Sequence, residues 1–215
     1  MKTTLKDGEK ILFIGDSITD CGRLEENFPL GNGYVKMFSD MLTVREPEKN
    51  IKIINRGISG NTIVELKERW HEDVLNHSPD WLSIKIGIND VHRFLMEEQY
   101  SYLNSVTFEQ IYDLLLTTTK KYLPACKILL IDPFYISSQS FNDTFRMKII
   151  AQLSEYIAAI QKLSEKYLTL YVKTNELFQQ QLEHQHPDTY CDEPVHPNSA
   201  GHFLIAEAVY WALSG

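Results

Sequence analysis

The chain has 215 residues, of which 43% are hydrophobic and 23% are charged, as is ordinary for a single globular domain. Its formal net charge of -8 argues against nucleic-acid or anionic-membrane binding, because both of those partners are negatively charged. The amino-terminal segment lacks the apolar core of a secretory signal, and Cys21, Cys126 and Cys191 lack the spacing of a disulfide framework or a zinc site. We therefore expect a cytoplasmic protein with reduced thiols and one domain over residues 1–215.

Short apolar runs alternate with longer segments of helical periodicity, which is typical of repeated βα units and a mostly parallel sheet. Five runs are predicted to be strands, namely Lys10–Ile14, Ile51–Asn55, Trp81–Ile86, Lys127–Ile131 and Leu168–Val172. Helices are predicted over Gly33–Thr43, from Thr62, over Phe108–Leu123, over Asn142–Tyr167, and from Asn198 or Ser199. Thr62 and Glu65 have the spacing of a capping box at the start of the second of these helices.

Polar segments follow the first three predicted strands, and another precedes the last helix. They are residues 15–17, 55–62, 87–90 and 195–198. The carboxyl ends of parallel strands open on the same edge of a sheet, where α/β proteins bind ligands. Ser17 is thereby predicted to lie at such an edge together with polar groups that are distant in the sequence.

These segments contain the parts that nucleophilic ester hydrolysis needs. Ser17 is a candidate nucleophile, and His196 is a candidate base that would accept the serine proton and return it to the leaving alcohol. The negative oxygen of the tetrahedral intermediate needs preorganised donors. The candidates are the backbone N–H groups of Ser17 and Gly60 and the side-chain amide of Asn89. This chemistry requires no cofactor, and the spacing of His, Asp and Glu suggests no metal site.

Each motif taken alone also fits an ordinary structural role. Residues 15–17 are typical of a strand-to-helix turn whose polar side chain caps the helix. Gly60 is suited to a turn, and Asn89 and Asp90 are common turn residues. It is the occurrence of all four segments in order that favours an active site.

The order Gly-Asp-Ser, Gly, Asn, His resembles the four sequence blocks of the SGNH hydrolases, also called the GDSL esterase/lipase family. The resemblance extends from Ile11 to Leu213 and is greatest to intracellular bacterial members that act as small-ester or carbohydrate acetylesterases. It implies a three-layer α/β/α fold with a five-stranded parallel sheet in the flavodoxin-like order 2-1-3-4-5. It also implies a Ser-His-acid triad that works through an acyl-enzyme.

The acid of this triad has two candidates. The family usually has an aspartate three residues before the histidine, whereas this chain has Glu193 there and Asp192 one residue earlier. Spacing favours Glu193, and side-chain length with a one-residue loop insertion favours Asp192. We take Glu193 as the first candidate and Asp192 as the alternative.

Three further residues are predicted to contact the substrate, namely Asp16, Asp90 and His92. Close members of the family tend to have a tryptophan at the position of His92, which predicts a more polar pocket wall here. Lys85 interrupts an apolar strand and is expected to reach a carboxylate or to extend past the end of the sheet, because an unpaired buried lysine is unfavourable.

The leading functional hypothesis is a serine esterase that removes short acyl groups, acetyl above all, from a sugar or another small alcohol. One alternative is a lysophospholipase or thioesterase with the same machinery. Another is a flavodoxin-like binding protein without hydrolytic activity, although the chain lacks a phosphate-binding Gly-x-Gly-x-x-Gly loop. We expect a small-molecule ester as partner, with no nucleic acid and no membrane, and leave a homo-oligomer open.

Overall fold

Five parallel strands form the central sheet of the computed structural model, which describes residues 2–96, 98–137 and 144–214. The strands are β1 (Lys10–Gly15), β2 (Lys52–Gly57), β3 (Trp81–Lys85), β4 (Lys127–Ile131) and β5 (Leu170–Val172). Their order is β2-β1-β3-β4-β5, which confirms the predicted order. The side chains of the apolar stretch Ile11 to Ile14 are at most 1% exposed, as expected for a strand covered on both faces.

Helices cover both faces of this sheet. They are α1 (Ser17–Asp20), α2 (Tyr34–Arg45), α3 (Ile63–Asp73), α4 (Ile88–Met96), α5 (Ser105–Tyr122), α6 (Thr144–Tyr167), α7 (Thr174–Leu182) and α8 (Ser199–Ala212). The chain reverses its direction across the sheet after β2, so right-handed crossovers place α2 on one face and α3, α5 and α6 on the other. The contacts agree, because α2 packs on α8 while α5 packs on α3 and α6. The predicted three-layer α/β/α architecture is confirmed.

Capping residues determine where several helices begin. Thr62 and Glu65 form the predicted capping box at α3, and the Asn198 side chain accepts hydrogen bonds from the first turn of α8. The predicted start of the helix at Asn142 lies outside the described residues, and α6 is described from Thr144. Short 3₁₀ helices occupy Leu75–His77, Glu98–Leu103 and Pro187–Thr189.

The segment before α8 contains a small antiparallel pair of strands that the sequence did not predict. Strand β6 (Cys191–Glu193) pairs with β7 (His196–Pro197), and the register places Glu193 opposite His196. Residues that lie opposite each other in an antiparallel pair have their side chains on the same face. This hairpin therefore brings the carboxylate of residue 193 to the imidazole of residue 196.

Candidate active site

Ser17 is the first residue of α1 and follows the carboxyl end of β1 directly. The Asp16 side chain accepts a hydrogen bond from the N–H of Ile18 (3.0 Å) and so caps this short helix. Gly15 permits the close approach of the neighbouring strand, since a Cβ atom at this position would lie 2.1 Å from the carbonyl oxygen of Lys85. The Ser17 hydroxyl is thereby held at the edge of the sheet with part of its surface accessible.

His196 lies beside this hydroxyl although the two residues are 179 positions apart in sequence. The distance from Ser17 Oγ to His196 Nε2 is 2.8 Å, which is hydrogen-bond distance. Pro197 is buried behind the histidine, and α8 begins two residues later at Ser199. The structure thus brings together the predicted nucleophile and its predicted base.

The other ring nitrogen of His196 contacts Glu193. Nδ1 and Glu193 Oε1 form a short hydrogen bond across the β6–β7 hairpin. Asp192 is exposed, makes no hydrogen bond to any described residue, and lies at the irregularity between the two paired positions of the hairpin, where it has no residue opposite it. Of the two predicted acids, Glu193 is the one that lies against the imidazole.

The predicted oxyanion donors include two backbone N–H groups, those of Ser17 and Gly60. Gly60 has φ +78°, a conformation that favours glycine, and a Cβ there would meet only the Arg93 guanidinium at 4.0 Å. Within the described part of the chain, the N–H groups of Ser17 and Gly60 donate no hydrogen bond. The third candidate, Asn89, donates one amide hydrogen to the carbonyl of Asn61 (3.0 Å), which leaves its second amide hydrogen for a ligand.

Helix α4 holds the loop that contains Gly60. From its first two turns, Asn89 donates to the carbonyl of Asn61 and Arg93 donates to the carbonyl of Gly60 (2.7 Å). Asp90 accepts from the N–H of Ile63 at 3.0 Å. Arg93 was not predicted from the sequence as a site residue. A helix beginning at Ile88 would have indicated it, because Asn89 and Arg93 are four residues apart and share a helix face.

Two further side chains, one from α1 and one from α3, hold the same loop. Asp20, at the end of α1, accepts from the N–H (3.1 Å) and the hydroxyl (2.7 Å) of Ser59. Arg69 of α3 donates to Asn61 Oδ1 (2.8 Å) and to the carbonyl of Gly15 (3.1 Å). The loop therefore has fixed contacts with β1, α1, α3 and α4.

Two of the predicted substrate-binding residues are buried in this structure. Asp16 and Asp90 are both fully buried, so neither carboxyl group lies on the surface of the site. Each carboxyl group instead accepts a hydrogen bond from a backbone N–H in the first turn of a helix. Burial raises the pKa of Asp90 to about 8.

Lys85 forms no ion pair with any described carboxylate within 4.0 Å. This side chain is fully buried, does not extend past the sheet, and makes no hydrogen bond with any described residue. Its ammonium group lies 4.5 Å from the centre of the Phe134 ring. Burial lowers the pKa of Lys85, and the charges of Asp16 and Asp132 oppose that shift.

His92 is the third predicted substrate-binding residue, and it lies near the reacting groups. Its partly buried ring meets the Tyr135 ring edge-on, with 6.0 Å between the ring centres. Burial lowers the pKa of His92, and the neighbouring His196 lowers it further, so the ring is neutral at pH 7. The geometry permits contact with a bound ligand only through the exposed part of the ring.

The described helices include none with the length and apolar character needed to cross a membrane. In residues 2–96, 98–137 and 144–214, no three His, Cys, Asp or Glu side chains are grouped so that they could hold a metal ion.

Comparison with known proteins identifies the family. Residues 13–204 match the model of the GDSL-like lipase/acylhydrolase family. The chain belongs to this family. The match confirms the resemblance found in the sequence and the prediction of a serine esterase.

Proteins similar to this chain have known structures. The chain is 40% identical to an acetylxylan esterase from Geobacillus stearothermophilus over 94% of this chain and 92% of the relative. The crystal structure of an acetylxylan esterase from that organism superposes with a TM-score of 0.87 at 37% identity, covering 100% of this chain and 97% of the other. The crystal structure of an alpha/beta hydrolase enzyme from the metagenome of Lake Arreo, Spain, superposes with a TM-score of 0.86 at 32% identity. It covers 97% of this chain and 96% of the other.

Proposed function

We propose that this member of the GDSL-like family is a carbohydrate acetylesterase whose nucleophile is Ser17. The observation that carries the proposal is the hydrogen-bonded series from Ser17 Oγ through His196 to Glu193. The similarity to acetylxylan esterase supports the acyl group and the class of alcohol.

The catalytic cycle follows from the geometry. Ser17 Oγ attacks the carbonyl carbon of the acetyl ester while His196 Nε2 accepts the serine proton. The imidazolium then returns this proton to the leaving sugar hydroxyl, which leaves an acetyl group on Ser17. Water is activated by the same imidazole, attacks the acetyl-serine, and releases acetate with regeneration of the hydroxyl.

Glu193 and the backbone donors stabilise the charges that develop in these steps. Glu193 accepts from His196 Nδ1, orients the ring, and lies beside the positive charge that the ring acquires. The N–H groups of Ser17 and Gly60 and the second amide hydrogen of Asn89 would bind the negative oxygen of the tetrahedral intermediate.

Variants of the Geobacillus enzyme that are described as catalytic mutants support these assignments. They replace a serine, an aspartate and a histidine by alanine. In that protein the histidine follows the serine by 179 residues and the aspartate by three, the same separations that Ser17, Glu193 and His196 have here.

His92 is proposed as a wall of the substrate pocket. Its neutral ring packs on Tyr135 and lies near His196, so a bound ester would meet it beside the reacting carbon. As an uncharged imidazole, it would accept or donate a hydrogen bond to a sugar hydroxyl without competing for the serine proton.

A substrate series tests the proposal. We expect kcat/KM to be highest for p-nitrophenyl acetate, to fall towards the decanoate, and to be retained on acetylated xylo-oligosaccharides. Ser17→Ala should remain folded and lose roughly 10⁴-fold or more in kcat, since the nucleophile is absent. Rates that rise steeply with chain length would instead indicate a lysophospholipase or thioesterase, and wild-type turnover by Ser17→Ala would refute the mechanism.

A further inference from the structure

The backbone around Gly60 has two peptide groups with different roles. The N–H of Gly60 belongs to the peptide that joins it to Ser59, whereas its carbonyl belongs to the peptide that joins it to Asn61. The two planes meet at the Gly60 Cα, where φ is +78° and no side chain restricts rotation. The direction of the N–H therefore depends on contacts made by the neighbouring groups.

Both sides of this glycine are held. On the amino-terminal side, Asp20 accepts from the N–H and the hydroxyl of Ser59 at 3.1 Å and 2.7 Å. On the carboxyl-terminal side, Arg93 Nη2 donates to the Gly60 carbonyl at 2.7 Å. With both neighbours fixed, the Ser59–Gly60 peptide has little freedom to rotate.

Arg93 is itself held in one position. Its Nη1 donates to Glu65 Oε1 at 2.8 Å, and its guanidinium lies 5.5 Å from the centre of the Tyr100 ring. Glu65 is also part of the capping box of α3, so the arginine links the start of that helix to α4. Side chains that present a catalytic group work best when their own conformation is fixed in this way.

We propose that Arg93 is a positioning residue for hydrolysis: by holding the Gly60 carbonyl, it directs the Gly60 N–H at the oxygen of the tetrahedral intermediate. This inference rests on the proposed function. Among the described residues Arg93 contacts Gly60, Glu65 and Tyr100 and makes no hydrogen bond to Ser17, so its effect on the reaction would pass through the backbone of Gly60. Because the intermediate's negative oxygen appears only after attack, loss of the arginine should act on kcat and leave KM nearly unchanged.

Replacement of Arg93 tests this inference. Arg93→Met keeps the apolar part of the side chain and removes every donor, and we expect kcat on p-nitrophenyl acetate to fall about 10- to 100-fold while KM changes less than about threefold. Arg93→Ala should show a similar fall, and millimolar guanidinium should restore at least part of it, since the arginine side chain is 31% exposed and its site is open to solvent.

Arg45→Ala is the matched control. Arg45 has similar exposure (37%), a carboxylate neighbour in Glu207, and an aromatic contact at 4.7 Å with Tyr210. It lies at the end of α2 and makes no contact with the loop. Its replacement should leave kcat unchanged and should show no response to guanidinium.

The inference is overturned if folded Arg93→Met retains kcat within twofold, or if its defect lies in KM. It is equally overturned if thermal unfolding shows Arg93→Ala to be folded and guanidinium restores no activity. Failure of the proposed function gives a different pattern, in which Ser17→Ala still hydrolyses the ester. If Ser17→Ala is inactive and Arg93→Met keeps the kcat of the wild type, only the role of Arg93 is rejected.

Discussion

Glu193 occupies the position, three residues before the histidine, where a catalytic mutant of the Geobacillus esterase replaces an aspartate. The extra methylene of glutamate is accommodated because the β6–β7 hairpin sets residue 193 opposite residue 196. The register of two short strands thus decides which carboxylate reaches the imidazole. Asp192 lies at the irregularity of this pairing, has no residue opposite it, and makes no hydrogen bond to any described residue.

Paired substitutions of these two acids test the assignment. Glu193→Gln keeps the side-chain shape but removes the negative charge beside the imidazolium, so we expect kcat to fall about 10²- to 10⁴-fold. Asp192→Asn should change kcat less than about twofold. Both variants are measured with p-nitrophenyl acetate under saturating conditions. A large loss in Asp192→Asn alone would reverse the assignment.

At the level of single residues, the sequence predicted the nucleophile and its base better than it predicted which neighbouring polar side chains are buried. Ser17, His196, Gly60 and Asn89 each belong to a short local motif. The structure places Ser17 against His196, and Asn89 against the carbonyl of Asn61, next to Gly60. The burial of Asp16 was not predictable from such a motif. Whether a polar residue at a strand end faces solvent or the interior depends on the packing of distant elements.

At the level of elements, the strands were predicted well and the short helices at the active site were missed. Helix α4 begins at Ile88, where Asn89 and Asp90 suggest a turn when only local preferences are considered. Tertiary contacts stabilise it instead, since three of its side chains form hydrogen bonds with backbone groups of Gly60, Asn61 and Ile63. The hairpin β6–β7 was missed for a similar reason, because two- and three-residue strands leave no periodic pattern.

The contact between α4 and α3 gives a prediction about pH. Asp90 accepts from Ile63 N in the first turn of α3, and burial raises the pKa of this carboxyl from 3.8 to about 8. At pH values between these two pKa values, the folded protein therefore holds a proton on Asp90 that the unfolded chain has already released. Stability contributed by this group is complete below pH 4 and is lost as the pH rises towards 8, at roughly 1 kcal/mol per pH unit.

Asp90→Asn removes this titration while keeping an oxygen that can accept from Ile63. We expect the free energy of unfolding of the wild type to fall relative to that of the variant between pH 5 and pH 8. Urea unfolding of both proteins at several pH values measures the difference. Parallel curves over this range would show that Asp90 is ionised in the folded protein at neutral pH.

At the scale of the whole molecule, strand order and helix placement follow from the connection rules of parallel sheets. These rules apply as soon as the sequence pattern predicts alternating strands and helices. Once five strands and their helices are assigned, right-handed crossovers restrict the arrangement to a few possibilities. The resemblance to the SGNH family selected the order that is observed. Long-range polar contacts between the ends of the chain are not predictable in this way, because they join residues with no periodic relation.

Glu46 is the centre of one such set of contacts. It lies at the end of α2, is 1% exposed, and accepts from Thr3 N at 2.8 Å and from the Tyr210 hydroxyl at 2.9 Å. It also pairs with Lys49. One carboxylate therefore joins the amino-terminal segment to α2 and α8. Burial alone would raise the pKa of Glu46, but its hydrogen bonds with Lys49, Thr3 and Tyr210 outweigh burial and lower it.

Glu46→Gln should destabilise the fold and spare catalysis. The amide has one acceptor oxygen where the carboxylate has two charged ones, and we expect a loss of about 2–3 kcal/mol in the free energy of unfolding. Because the folded-state pKa of Glu46 is lowered, this stabilisation is present above pH 4.5 and disappears as the pH falls through the folded pKa. The free energies of unfolding of the two proteins should therefore converge in acid.

Glu48→Gln, which breaks an exposed pair with Lys2, is the matched control and should leave the midpoint of unfolding unchanged. Equal midpoints for wild type and Glu46→Gln at pH 7, measured by urea and by heat, would show that these contacts contribute nothing to closing the chain ends onto α2.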